Sequence, residues 1–226
     1  LILATPVRTI LEILMKLKEL SEDTDKTVLV LDLGSTKTEV TSAMTLLPNN
    51  LTGIGGHPMC GKETGGLEYA DASLYQNAVF VLTPTNKADN NMLDLARQII
   101  SAIGSIPIEM DAERHDKLTA FTSHLPYLLA CSLVAAVNSE GDIDPIIWKM
   151  VSSGFQDTTR VASSDVQMLI DILETNKDAI KNALHQQRIA IDKLEIALDG
   201  DLQSLQASLS NIRAVRNYHF PIPPSG

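Results

Sequence analysis

The chain has 226 residues, 44% of them apolar and 20% charged, a composition that suits one large domain or two small ones with buried cores. Its formal charge of -10 argues against a nucleic-acid partner, because phosphate contacts need clustered Lys and Arg. Cys60 and Cys131 stand far apart and offer neither a CxxC pair nor a disulfide framework, as in a reducing compartment.

In chain order, "LILA" reads as a strand, and Pro6 suits the first turn of the helix that follows. In that helix Ile10, Ile13, Leu14 and Leu17 fall on one face. "TVLVLDLG" is a second strand, apolar throughout, as a parallel strand covered on both faces should be. Thr36-x-x-Glu39 has the form of a capping box and predicts a helix to about Leu47. "LTGIGG" and "NAVFVLTP" give two more strands, a helix is expected near 87–103, and "SIPIEM" is a last strand. This alternation predicts an α/β layer with a mainly parallel sheet. The chain opens inside a buried strand, and G-x-G-x-x-G occurs nowhere in it. The expected sheet is therefore a reduced one, or the remainder of a Rossmann-type fold without its first mononucleotide-binding half.

From about Asp111 the pattern is helical only. "DAERHDKLTAFTSHLPYLLACSLVAAVNS" predicts one long helix, bent at Pro126. Its apolar run of about 14 residues is short of the ~20 that a membrane helix needs. The apolar start lacks a basic stretch before it and makes a poor signal peptide, so a cytoplasmic protein is expected. "SSGFQDTTRVASSD" reads as a polar loop. Two further helices carry Ile180, Leu184, Ile191, Leu194 and Leu198, then Leu202, Leu205, Leu209 and Ile212, with "DGD" turning one back on the other. The tail "FPIPPSG" is expected to be extended. The predicted division is 1–110, 111–217 and a tail from 218.

"GGHPMCGKETGG" raises the question of chemistry. From Gly56 it reads G-x-x-x-x-G-K, one residue short of a P-loop, but Glu63 stands where Ser or Thr should hold magnesium. Pro58 also removes an N–H from the cradle, and no helix-favouring run follows. His57 lies at the end of a strand, where open α/β sheets keep their ligand crevice. An imidazole there can accept a proton near neutral pH, or can simply cap a turn. Ser35, at a strand-to-helix turn, could orient it or hold a substrate oxygen. His115 and His124 are nine residues apart, about 900° of helical rotation, which puts them on opposite sides of a straight helix and argues against a shared metal. Ser123 and Tyr127 share a face, and on spacing alone core packing is the favoured reading of Tyr127. Arg160 is solvated, paired with a neighbour such as Asp157, or a grip for a carboxylate.

Together "LILATPVRTI", "DLGSTK", "GGHPMCGKETGG", "VFVLTPT", "RHD", "SHLP", "GFQDTTR" and the "SD…N" of 164–176 resemble the prephenate dehydrogenase family of tyrosine biosynthesis. The likeness implies oxidative decarboxylation of prephenate, with hydride passing to NAD or NADP. It implies that His57 is the base and that Ser35 binds the same hydroxyl beside the nicotinamide. Arg160 would hold a substrate carboxylate with Gly154 near it, and Glu63 would guard the mouth of the site. Ser123, His124 and Tyr127 would face the substrate. Ala4, Thr5, Pro6, Val7, Asp32, Gly34 and Ser35 would line the cofactor, no metal is implied, and the helical half would form a homodimer. The family's "SHLPH" reads "SHLPY" here, Val166 stands where a proline is usual, and Leu169 where a tryptophan is. Arogenate dehydrogenase and an inactive dimeric binding module are the alternatives, and the missing Gly-rich half would supply the pyrophosphate site.

Overall fold

The computed structural model describes residues 1–19, 26–61 and 69–221. It divides into two compact units, Leu1–Ile180 and Lys181–Gly226. In the first, β1 (Ile2–Leu3), β2 (Val28–Asp32), β3 (Leu51–Pro58), β4 (Val79–Pro84) and β5 (Ile106–Glu109) form one sheet in chain order. All neighbours are parallel except β3 and β4, which run antiparallel with His57 opposite Val81.

The apolar run of β2 is explained by burial on both faces. Val30 packs with Ile10 and Leu14 of α1 (Val7–Lys18) and with Val40 and Met44 of α2 (Thr38–Met44). Leu29 and Leu31 point the other way, into a cluster with Phe80, Leu82, Ala96 and Ile100, the last two from α3 (Asn90–Ala102). The glycines before His57 serve close packing. A Cβ on Gly55 would lie 2.1 Å from the Thr83 hydroxyl, and one on Gly56 would lie 2.5 Å from the Asp32 carbonyl oxygen. The described part of "GGHPMCGKETGG" is therefore a strand that its neighbours approach closely, and no phosphate cradle forms there.

The capping-box expectation is corrected. α2 starts at Thr38 without a side-chain cap of its own and ends at Met44. Asp116, distant in sequence, accepts from the N–H groups of Lys37 (2.7 Å) and Thr38 (2.8 Å) and takes the cap's place. The Thr36 hydroxyl instead meets that of Thr175 at 2.7 Å.

In the helical part, α4 (Ala112–Thr119), a π turn (Ala120–His124) and α5 (Leu125–Gly141) form one continuous helix. At 30 residues it is long and apolar enough to cross a membrane by length and composition, unlike the shorter run read from sequence. Its first half, however, carries His115, Asp116 and His124, all buried within the first unit. The irregularity precedes Pro126 and is no bend at it. Pro126 sits in the first turn of α5, where its missing N–H costs least.

The expected polar loop is largely helical: α6 (Ile147–Met150) is followed by α7 (Ser153–Thr159) and a 3-10 turn (Arg160–Ser163). The Thr158 and Thr159 hydroxyls back-bond to the carbonyls of Gly154 and Phe155, which lets a polar sequence stay helical. α8 (Val166–Thr175) is capped by Asp165, and α9 (Lys177–Asp199) and α10 (Leu202–His219) follow. Of the apolar rows, Ile180 is core, while Ile191, Leu194, Leu198, Leu202, Leu209 and Ile212 are exposed. α10 includes Tyr218 and His219, so the tail starts later than expected; residues 222–226 lie outside those described.

Candidate active site

The candidate site begins at the end of β3. His57 Nδ1 lies 2.8 Å from His115 Nε2, and His115 Nδ1 lies 2.8 Å from Asp116 Oδ1. The tautomers follow from the far end of this chain. The Asp116 carboxylate already accepts two backbone N–H groups, and accepting is all that an ionised carboxylate can do. His115 Nδ1 therefore carries its proton, His115 Nε2 accepts, and His57 Nδ1 donates. That leaves His57 Nε2 as a bare lone pair available to the cavity. Burial pushes the His57 pKa well below its usual 6.5, and neighbouring His115, Lys37 and His124 push the same way against Asp116. The ring is thus neutral and ready to accept a proton at physiological pH.

A second imidazole is fixed with the opposite polarity. Asn176 Nδ2 donates to the Asp116 carbonyl at 2.7 Å and lies 3.3 Å from His124 Nδ1. The carbonyl contact identifies the amide nitrogen, so His124 Nδ1 accepts and Nε2–H is left as a donor. Burial lowers the His124 pKa to about 4, with Asp116 opposing and His115 assisting. The π turn explains why the straight-helix expectation failed. The wide turn sets later side chains back by about 100°, which brings His124 from the side opposite His115 to within about a quarter turn of it.

Beneath His57, Lys37 is completely buried and donates to the Asp32 carboxylate and, at 2.6 Å, to the Gly56 carbonyl. Asp32 also accepts from the N–H groups of Gly34 (2.8 Å) and Gly56 (3.1 Å). It is therefore fully enclosed in the interior, away from the cavity wall where a cofactor-lining residue belongs.

Two cavities meet here. One, of about 490 Å³, is lined by Ser35, His57, Cys60, Ser123, His124 and Tyr127, among others. The other, of about 720 Å³, lies against Ala4, Thr5, Pro6, Val7, Gly34 and Ser35. Ser35, Pro58, Met168 and Ile172 belong to both walls. The Tyr127 hydroxyl donates toward the Cys131 sulfur one turn on, and this contact together with desolvation raises its pKa. Both cysteines are free. Arg160 is exposed at the start of its 3-10 turn and outside either lining, although the next residue, Val161, belongs to the first. Gly154 is exposed on α7, away from both cavities, and Glu63 lies outside the described residues. Lys37, His115, Asp116 and Asn176 had no site role in the sequence reading. Their letters lay inside the motif segments, but only the fold pairs them.

The depressed histidine pKa values predict acid sensitivity. A histidine held neutral in the folded state binds fewer protons than in the unfolded chain, so stability falls as pH drops below 6.5 and levels off below the folded pKa. For His124, with a folded pKa of about 4, the loss between pH 6.5 and 5 is about 2 kcal/mol, and His57 adds to it with the same sign. Urea unfolding at the two pH values measures it; equal stability would contradict the buried neutral rings.

A helix-flanked, mostly parallel sheet with cavities at its strand ends is the architecture of a nucleotide-binding α/β domain. The family model "Prephenate dehydrogenase, nucleotide-binding domain" matches residues 1–108, and "Prephenate dehydrogenase, dimerization domain" matches 111–211. The solved prephenate dehydrogenase of Aquifex aeolicus, in complex with hydroxyphenyl propionate and NAD+, is 32% identical with a TM-score of 0.84, over 95% of this chain and 74% of that one. The Synechocystis arogenate dehydrogenase is 30% identical with a TM-score of 0.81, over 96% and 78%. The Bacillus subtilis prephenate dehydrogenase is 35% identical over 85% of this chain and 52% of its own length. The chain belongs to the prephenate dehydrogenase family. It spans about half the length of the curated relatives it matches.

Proposed function

We propose that this chain carries the catalytic site of an NAD(P)-dependent dehydrogenase that converts prephenate to 4-hydroxyphenylpyruvate. The observation that carries the reading is the Asp116–His115–His57 chain, which leaves a bare Nε2 in the cavity that shares Ser35 with the second cleft. The lining of that cleft fits a nicotinamide: small residues of the loop after β1 and the turn after β2, at the ends of parallel strands, adjoin the histidine cavity. When bound, the nicotinamide supplies the acceptor for the hydride.

The remaining steps fall to the protein. His57 Nε2 takes the proton of the substrate's C4 hydroxyl, while Ser35 holds the same oxygen at the wall between the cavities. As the C4 hydride leaves, the C4 oxygen becomes a carbonyl. The ring carboxylate then departs as carbon dioxide, and its bonding pair enters the ring. The resulting phenolate takes the proton back from His57, so the base is regenerated with no net proton exchange. Aromatisation drives the reaction, and the protein positions and polarises. His124 Nε2–H serves as a hydrogen-bond donor to a substrate oxygen, with Ser123 and Tyr127 on the same wall. Arg160 is assigned to a substrate carboxylate, reached from the turn that carries Val161 at the rim.

The exposed rows of Ile191, Leu194, Leu209 and Ile212 support a homodimer through the helical half, in keeping with the dimerization-domain match. The assignment goes with a cytoplasmic biosynthetic enzyme. Absorbance at 340 nm tests the reading, using this chain and any upstream extension of its reading frame. Reduction of NAD or NADP with prephenate is the expected result. Turnover with arogenate alone would move the assignment to the amino-acid substrate, and turnover with neither would reject it.

A further inference from the structure

We propose that Lys37 is a positioning residue for the base: the buried Lys37–Asp32 pair locks the backbone under His57 and keeps cationic charge beside that ring. Lys37 is a buried charged group that the chemistry above does not use, and a lysine with no exposed surface needs a reason.

Its contacts supply one. Gly56 immediately precedes His57 and has both backbone groups taken by this pair. Its carbonyl accepts from Lys37 Nζ at 2.6 Å, and its N–H donates to Asp32 Oδ1 at 3.1 Å. The Lys37 backbone N–H in turn donates to Asp116 Oδ1 at 2.7 Å, the oxygen that also holds His115. One residue thus anchors His57 through its main chain and through the end of its hydrogen-bond chain. Gly56 makes the contact possible, because a Cβ there would meet the Asp32 carbonyl oxygen. The same ammonium charge opposes protonation of His57, in the same direction as His115 and His124 and against Asp116. Around Lys37 itself, burial lowers the pKa, whereas Asp32 and Asp116 raise it.

The role in turnover rests on the dehydrogenase reading, but the effect on His57 does not. Lys37→Met alone leaves a buried carboxylate unpaired and is expected to fold poorly. Lys37→Met combined with Asp32→Asn removes both charges and is the variant to test. In the 226-residue chain, long-range proton–nitrogen NMR of the histidine rings reports tautomer and titration without substrate. The wild type is expected to show His57 protonated on Nδ1 alone. The folded double variant is expected to show mixed tautomers and a His57 pKa raised by loss of the Lys37 charge. In the assay kcat should fall by about ten- to a hundredfold, with KM nearly unchanged and the acid limb of the pH–rate curve moved up with the NMR titration. A folded double variant whose His57 keeps its tautomer and titration overturns the proposal, whatever the assay gives. If the NMR shift is found but the wild type turns over neither prephenate nor arogenate, the positioning role stands and the functional reading fails.

Discussion

Replacing His57 with Asn is expected to lower kcat by about a thousandfold, within the range for loss of a positioned general base. The Asn amide can still donate toward His115 Nε2, so the Asp116–His115 pair beneath it keeps its partner. What disappears is the basic lone pair in the cavity. The Ala4–Val7 wall is unchanged, so cofactor affinity should move little, and the substrate KM should stay within a few-fold. The acid limb that His57 imposes should vanish from the residual rate. Because burial sets the His57 pKa well below 6.5, that limb lies on the acid side of neutrality in the wild type, and activity persists as pH falls until the ring protonates. Initial rates at 340 nm across pH, with a separate cofactor titration, check each part. A variant retaining a tenth or more of the wild-type kcat would remove His57 from the role of base.

Much of the scaffold was legible because its signals are local. An apolar run such as β2 needs cover on both faces, and the rows of α1 need a core to face; both follow from period and composition. The motif singles out His57 and Ser35, and the fold puts both on one cavity wall. What escaped was every feature that depends on a distant partner. Thr36-x-x-Glu39 has the letters of a capping box, yet Asp116 supplies the cap from far along the chain. "DLGSTK" marks a strand-to-helix turn, but nothing local says that its acid and its lysine face each other in the interior instead of lining a cleft. The polar stretch 152–165 reads as loop by composition, whereas hydroxyl back-bonding makes most of it helical. The largest error came from assuming a straight helix. One π turn changes the phase of everything after it, and no residue type announces that turn beyond the proline that follows it.

Asp116→Asn makes that dependence measurable and should be nearly as damaging as loss of the base itself. The carboxylate accepts from three donors: Lys37 N and His115 Nδ1 on one oxygen, Thr38 N on the other. An amide has one accepting end. If its oxygen stays with Lys37 and His115, its NH₂ faces the Thr38 N–H, donor against donor. If it flips, the NH₂ faces His115 Nδ1, which must then give up its proton and accept. His115 Nε2 becomes the donor, His57 Nδ1 the acceptor, and the proton moves to His57 Nε2, where a base is required. The reversal carries no steric change, so substrate and cofactor binding should persist while kcat falls by about three orders of magnitude, comparable to loss of the orienting carboxylate in other relays. Either placement leaves a buried donor at the start of α2 unsatisfied, which should cost about 1–3 kcal/mol of stability. Histidine NMR separates the two losses: a folded variant with His57 protonated on Nε2 and a collapsed kcat is the expected result. A folded variant with His57 still protonated on Nδ1 and near-wild-type turnover would show that the chain from Asp116 does not set the tautomer of the base.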